Sequence, residues 1–460
     1  MRKALGKISN NRLALFSLLS LASLLLMPFF GKLNVWIFVG ILFSFLTVTD
    51  IFVMLKTRIP FGHLMILNYF LQFFLISLFL YFYPNTQAQY SIPRYDYPDY
   101  LSFIIPACIA VYFGYHFGSR ASKESRHNNH ASSGWTKYTE LLCWTGLIFW
   151  IIPKGSLPSS LSFFFVLLGN LRYVGFFSLI LAKNKRWVFY GVVIFILEFI
   201  VALQSAMFHE LIIWVAAFIF IVFYRYNLRK FIVPMLVVCL SFLFILQGAK
   251  PVYRQIIDQN SSPLESLTLL KDSMFQQIGD LSFQGDITKF SDSLPRFNQG
   301  WIVNDVMNYV PLFEPYAYGQ TISRGLYMSI VPRFFDKNKQ TAGGQALFEQ
   351  YTGQLLTNTV MNISLLGEMY VNFGRIGAII CMFIFGLLIG FLYKNIFLLS
   401  FQSPLWWAWI PYVGFYAFKA EEGFAEILSW IIKSLVVMAV IIFLANFFTK
   451  RENEVFPSVK

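Results

Sequence analysis

Residues 375–393 read RIGAIICMFIFGLLIGFLY. A single charge, Arg375, opens the stretch, and every residue after it is uncharged. At 1.5 Å of rise per residue, a helix of this length covers about 28 Å, close to the hydrocarbon thickness of a bilayer. Comparable apolar runs lie at 13–31, 33–55, 61–83, 101–118, 138–153, 161–182, 187–206, 211–224, 231–248, 403–419 and 424–447. The reading is an all-α integral membrane protein with about twelve transmembrane helices. Pro404 and Pro411 interrupt the run at 403–419, so that span is expected to be broken.

Composition supports this. Charged residues make up 13% of the 460-residue chain and hydrophobic residues 57%. Soluble domains carry about 25% charged residues, so most of this surface faces something other than water. The 53 phenylalanines are ascribed to compositional bias rather than to an aromatic binding surface. The net charge of +13 does not point to nucleic acid, because the basic residues are sorted by side. Arg2, Lys3, Lys7, Arg12, Arg58 and Arg186 are among the many that fall on one side, whereas the short loops opposite hold only Lys32, Arg94, Lys154 and Lys419. That is the positive-inside pattern, and it predicts both termini in the cytoplasm. Cys108, Cys143, Cys239 and Cys381 sit singly in apolar segments, with neither disulfide nor zinc spacing. The first run has a basic start but no small-x-small cleavage site, and is read as a retained helix.

Three regions follow: a transmembrane bundle of about nine spans over 1–248, a large extracytoplasmic loop over 249–374, and C-terminal transmembrane helices with a cytoplasmic tail over 375–460. The loop lies between the ninth and tenth spans and is expected to carry the active site, since long loops are uncommon unless they work. Within it Leu264, Leu267, Leu270, Met274 and Ile278 recur at helical spacing, predicting an amphipathic helix over 264–281 on the membrane surface. Residues 119–137 are polar, basic and rich in Ser and His, as in a disordered cytoplasmic linker. There is no internal repeat of the kind many secondary transporters carry.

Candidate chemistry concentrates around the loop. Lys250 and Arg254 lie one helical turn apart, so they are expected to share a face, and Pro251 between them predicts that the helix starts to break there. Arg296, Arg324, Arg333 and Lys339, with Lys337 beside them, add cations. Guanidinium forks match phosphate oxygens, so this set is expected to bind pyrophosphate. No histidine pair has ligand spacing, no DxD cluster occurs, and no histidine lies between 248 and 375; no metal or cofactor is expected. Glu368, in SLLGEMYVNFGRIG, has an apolar flank that raises a carboxyl's pKa toward that of a useful base; an ion pair with Arg375 is its competing, structural role. Asp336 is the second catalytic candidate, followed by Asp305, Glu210 and His209. Arg172 and Glu198 fall near the middle of the sixth and seventh spans, where charge is costly, and are expected to pair.

The late loop and its exit helix resemble the Wzy-type polysaccharide polymerases, which join O-antigen or exopolysaccharide repeat units in bacterial envelopes. The residues carrying the resemblance are RFNQG at 296–300, Pro311, Gly319, VPRFFDKNK at 331–339 and ISLLGEMYVNFGRIG at 363–377. That family's middle element reads Pro-Arg followed by Trp-Pro-x-Lys-Pro. Here Pro332, Arg333 and Lys339 match it, while Asp336, Lys337 and Gln340 replace the tryptophan and two prolines. Arg333 with Gly344 fits an Arg-x10-Gly spacing, and the Lys250–Arg254 pair is similar to a basic cluster of such enzymes.

The resemblance implies a GT-C-like helical fold in the bacterial inner membrane. It implies a metal-independent glycosyltransferase that moves a glycan from undecaprenyl pyrophosphate to the terminal sugar of another lipid-linked repeat unit, outside the membrane. The implied partners are undecaprenyl-pyrophosphate-linked oligosaccharide, the bilayer, a chain-length regulator and a flippase. An O-antigen ligase is the nearest alternative; such ligases share a functional histidine in the large external loop, and this loop has none. A flippase or transporter of lipid-linked sugars, with Arg172 and Glu198 lining its cavity, and a non-catalytic scaffold are the others.

Overall fold

The computed structural model describes residues 34–55, 57–83, 92–93, 96–120, 137–152, 159–228, 231–257, 262–284, 294, 297–331, 336, 344–356 and 360–455. The predicted span at 13–31 and positions 121–136 of the predicted linker lie outside them. The described residues form helices and no strands. In chain order these are α1 (Asn34–Met54), α2 (Phe61–Phe82), α3 (Tyr97–Gly118), α4 (Thr139–Ile151), α5 (Ser159–Leu181), α6 (Trp187–Ser205), α7 (His209–Tyr226) and α8 (Ile232–Ile256). Then come α9 (Pro263–Gln284), α10 (Gly300–Tyr309), α11 (Gln320–Ile330), α12 (Gly344–Thr352), α13 (Ser364–Ser400), α14 (Trp409–Val413), α15 (Phe415–Phe418) and α16 (Phe424–Val455).

Eight of them (α1, α2, α3, α5, α6, α7, α13 and α16) are long and apolar enough to cross a bilayer, and each overlaps a predicted span. Lipid offers backbone groups no hydrogen bonds, so a spanning segment must satisfy its own, as a helix does. The chain is a multi-pass membrane protein.

Local chemistry explains several boundaries. The predicted amphipathic helix is α9, and a capping box starts it: Glu265 accepts from the Ser262 N–H at 2.8 Å while Ser262 Oγ accepts from the Glu265 N–H at 3.3 Å. Pro263 occupies the first helical position, where its missing N–H costs nothing. The predicted broken span is a 3-10 turn at Pro404–Ala408 followed by the short helices α14 and α15.

Two expectations are corrected. The chain stays helical past Pro251 to Ile256, held by the Tyr253 hydroxyl, which donates to the Leu203 carbonyl of α6 at 2.8 Å. The exit helix begins at Ser364, well before the predicted start at 375. At 37 residues it would measure about 55 Å if straight, too long for one crossing, and it breaks at Gly374, where φ is 66° and ψ −167°. The part after Gly374 is by itself long and apolar enough to cross a bilayer.

The most extensive helix–helix contact among the described residues joins α3 to α13, and glycine makes it possible. A Cβ on Gly114 would fall on the Phe383 carbonyl, one on Gly118 on the Leu387 carbonyl, one on Gly386 on the Val111 carbonyl and one on Gly390 on the Tyr115 carbonyl. Each helix thus presents a Gly-x-x-x-Gly pair to the other, the close-approach geometry of membrane helices. Elsewhere an aromatic stack ties the broken span to the bundle: Trp214 of α7 lies between Tyr173 of α5 at 3.9 Å and Phe415 of α15 at 4.8 Å.

Arg172 of α5 and Glu198 of α6 meet at 2.6 Å, both buried. Arg172 also donates to the Gly169 carbonyl at 2.7 Å and lies over the rings of Trp150 and Tyr173.

Two outcomes follow for unfolding in detergent. Gly386→Val forces backbone apart and lowers stability by at least about 1–3 kcal/mol, whereas Gly279→Ala, whose Cβ meets nothing within 4 Å, leaves it unchanged or raises it by up to about 1 kcal/mol. Arg172→Ala and Glu198→Ala each cost about 3–5 kcal/mol by stranding a buried charge, and the double variant costs less than their sum. Simple additivity in that cycle would refute the pair.

Candidate functional site

The short segment 419–423, Lys-Ala-Glu-Glu-Gly, links α15 to α16 and is tied down by three other helices. Asn68 of α2 donates to the Phe418 carbonyl at 2.8 Å, just before the segment. His209, at the start of α7, lies 3.1 Å from the Glu421 carboxylate. The Glu422 carbonyl accepts from the Leu365 N–H of α13 at 2.8 Å. The Phe424 N–H, at the start of α16, donates to the Glu368 carboxylate at 2.8 Å. Lys419 is buried, with its ammonium 3.5 Å from Glu422 and over the rings of Phe415 and Tyr416. Gly423 leaves room for Asn362, whose amide nitrogen would sit 2.9 Å from a Cβ there.

Glu368 itself is only 1% exposed. Burial pushes its carboxyl up to about 7, although the Phe424 N–H and Thr321 pull it down. Burial likewise raises Glu422 to about 7, against the opposing pull of Lys419. Both carboxyls are therefore balanced between protonated and ionised forms near neutral pH. Asn372, one turn beyond Glu368, organises the facing loop: it accepts from the Gly319 N–H at 2.9 Å and donates to Thr321 Oγ1 at 2.7 Å.

Beside this cluster runs an apolar groove of about 740 Å³ between α7, α8 and α9. Along α7 its lining extends from His209 to Phe223, a rise of about 21 Å. Ile212, Ala216, Ile219, Leu246 and Leu270 form its walls, and His209, Lys250, Glu421, Asn68 and Gln72 also line it. Lys250 acts electrostatically on His209. Phe242 and Phe275 of the lining are 50% and 64% exposed, so the groove opens on the protein surface. Gln72 falls within a π-helical stretch of α2 (Phe70–Leu75), and its carbonyl accepts from the Gln299 N–H of the late loop at 3.1 Å.

Residues 134–450 match the family described as Domain of unknown function (DUF8712). The chain belongs to the DUF8712 family. No curated protein and no solved structure matches it. The groove, the 419–423 segment and Glu368 lie within the family's span, except for Asn68, Leu71 and Gln72 of α2.

The predicted residues of this DUF8712 chain are distributed unevenly. Lys250 is buried at the groove, but Arg254 is exposed and donates to the Ala206 carbonyl at 3.3 Å, so one turn of spacing does not give the two a common environment. Arg324 is exposed on α11, where it and Glu368 both act on Tyr351. Asp336 accepts from the Tyr327 hydroxyl at 3.0 Å and Asp305 from Gln354 at 2.8 Å. Arg296, Arg333, Lys337 and Lys339 lie outside the described residues. Arg375 does not pair with Glu368; Asp99 and Ser102 of α3 hold it, because the break at Gly374 turns the two positions onto different helical segments.

Sequence reasoning misses Lys419, Glu421, Glu422 and Asn362, and counts Lys419 only as a short-loop charge. The available signal is local density: four charges within 419–426, flanked by apolar runs. Infrared difference spectra should show two carboxyl groups titrating near pH 7; Glu368→Gln removes one and Glu422→Gln the other. A titration unchanged by either substitution would assign it elsewhere.

Proposed function

We propose that this chain is a Wzy-type polymerase, transferring a glycan from undecaprenyl pyrophosphate to the terminal sugar of a second lipid-linked repeat unit. The observation that carries the reading is the apolar groove lined at one end by Lys250, His209 and Glu421, the last in a segment whose far end is held by buried Glu368 through the Phe424 N–H. A polyprenyl tail fits its apolar walls, and a pyrophosphate fits beside the cation at its polar end. In this reading the chain has about twelve spans in a GT-C-like arrangement, both termini face the cytoplasm of the bacterial inner membrane, and residues 249–374 lie outside. The charge asymmetry of the short loops supports that orientation.

The chemistry needs two contributions. The acceptor hydroxyl attacks the anomeric carbon, the bond from that carbon to the pyrophosphate oxygen breaks, and the hydroxyl proton leaves to a base. Glu368 is assigned as the base: its carboxyl, raised to about 7, is strong enough to take the proton and still ionised in useful amount at neutral pH. Lys250, with Arg254, Arg296, Arg324, Arg333 and Lys339 as further cations of the loop, offsets the charge developing on the leaving pyrophosphate. Asp336 is the alternative base. A chain-length regulator and a flippase complete the expected partners.

A ligase moving finished glycan to another acceptor is the second reading; the histidine at the groove, His209, sits 3.1 Å from Glu421 but starts α7 rather than lying in the 249–374 loop. Product analysis of a deletion strain separates the cases. Single repeats on lipid mean polymerase, full-length chains retained on lipid mean ligase, and repeats trapped inside mean a flippase.

Glu368→Gln still accepts the Phe424 N–H, so protein abundance should stay normal while polymer yield falls on the order of 100-fold. Polymerisation by the wild-type chain should rise as pH climbs through about 7, because the ionised carboxylate is the active form. Arg333→Lys should lose most activity at constant charge, since an ammonium lacks the guanidinium fork. Normal chain length in the Glu368→Gln strain would remove Glu368 from the role.

A further inference from the structure

We propose that Asp50, His63 and His116 form a binding site for a divalent transition-metal ion, zinc above all, at one end of the helix bundle. Asp50 lies four residues before the end of α1, His63 two residues into α2 and His116 two residues before the end of α3. The three helices bring their donor atoms together: Asp50 Oδ2 is 3.3 Å from His116 Nε2 and 3.9 Å from His63 Nε2. All three lie within 4.8 Å of one another. Tetrahedral zinc with bonds of about 2.0–2.1 Å holds its donors about 3.3 Å apart. Asp50 and His116 stand at that spacing, and His63 stands slightly beyond it from Asp50.

The donor set selects the ion. Two imidazole nitrogens and one carboxylate oxygen suit zinc and its first-row neighbours, whereas magnesium and calcium prefer all-oxygen shells. Asp50 and His63 are each 1% exposed, while His116 is 22% exposed at its side chain. The exposed part of His116 is not its donor atom: His116 Nε2 and His63 Nε2 are both buried, so the three donors face an enclosed pocket.

The surroundings are those of a prepared site. Tyr112 donates to Asp50 Oδ2 at 2.7 Å, fixing the carboxylate as outer-shell partners of metal ligands do. The Tyr115 ring packs edge-on to His63 at 5.0 Å and lies against Gly62, where a Cβ would collide with it. His116 stands between Gly114 and Gly118, the two residues locked against α13. Rigid, packed helices hold such a constellation more accurately than loops.

This inference is independent of the proposed transferase reading. The three residues precede the family match at 134–450, and His63 lies nine residues from Gln72 along α2, about 13 Å. The ion would brace α1, α2 and α3 and takes no part in glycan transfer.

The test uses the full-length protein purified in detergent without chelator. Elemental analysis should find about one zinc per chain, and after chelator stripping, added cobalt should give the visible d–d absorption of a tetrahedral ion. His116→Gln and Asp50→Asn should abolish both signals, and Tyr112→Phe, which removes only a hydroxyl, should weaken metal binding by about 10–100-fold. His209→Gln and the double variant His127→Gln with His130→Gln should bind as the wild type does. Absence of zinc together with no cobalt spectrum in folded wild-type protein would overturn the proposal. Metal retained in His116→Gln, or lost with the linker histidines, would overturn it too.

Discussion

Where α3 crosses α13, no side chain separates the two backbones. Gly114 and Gly118 face one helix, Gly386 and Gly390 face the other, and peptide carbonyls occupy the space a Cβ would need. Within lipid, pressing one apolar helix against another brings no hydrophobic gain, so association depends on this closeness of van der Waals contact. The position of α13 follows from it, and with it the position of Glu368 and Asn372, which the first turns of α13 carry to the start of α16 and to residues 319–321. The same contact fixes the end of α3 on either side of His116.

A second constraint acts on the broken span. Interrupting a helix inside a membrane protein exposes backbone groups that lipid cannot satisfy. Here neighbouring helices satisfy them: Asn68 caps the Phe418 carbonyl and the Leu365 N–H takes the Glu422 carbonyl. The break in turn brings Lys419, Glu421 and Glu422 to a place where burial raises the Glu422 carboxyl and where His209 reaches Glu421. Polar chemistry and an apolar groove thus adjoin because a helix stops short, with its loose ends tied to α2, α7 and α13.

Much of the fold is legible in the order of the residues. Apolar runs of spanning length mark the helices, the pattern Leu264, Leu267, Leu270, Met274 marks α9, and Pro404 with Pro411 marks the broken span. Arg172 and Glu198 stand out because charge at that depth demands a partner, and they meet at 2.6 Å. Glu368 stands out because its flanks are apolar, and its carboxyl is indeed raised by burial. Local signals fail where a partner comes from elsewhere in the chain. By sequence distance Arg375 is available to Glu368, yet Asp99 holds it. By spacing Lys250 and Arg254 are alike, yet they differ in burial. The carboxylates of 419–426 have the composition of an ordinary short loop.

By itself the sequence determined that this chain is helical and crosses a membrane many times, because the transfer of each apolar run from water to lipid depends on that run alone. It also marked the broken span, through Pro404 and Pro411, but neither the continuity of the helix past Pro251 nor the break at Gly374. Only the tertiary structure decided which faces of those helices meet. The packing of α3 on α13, and of α1, α2 and α3 around Asp50, His63 and His116, is set by contacts between residues far apart in the chain. A hydropathy pattern carries depth in the membrane and not azimuth around a helix, so depth could be read from the residues in order, while the groove, the Glu368 environment and the buried Asp–His cluster required the packed bundle.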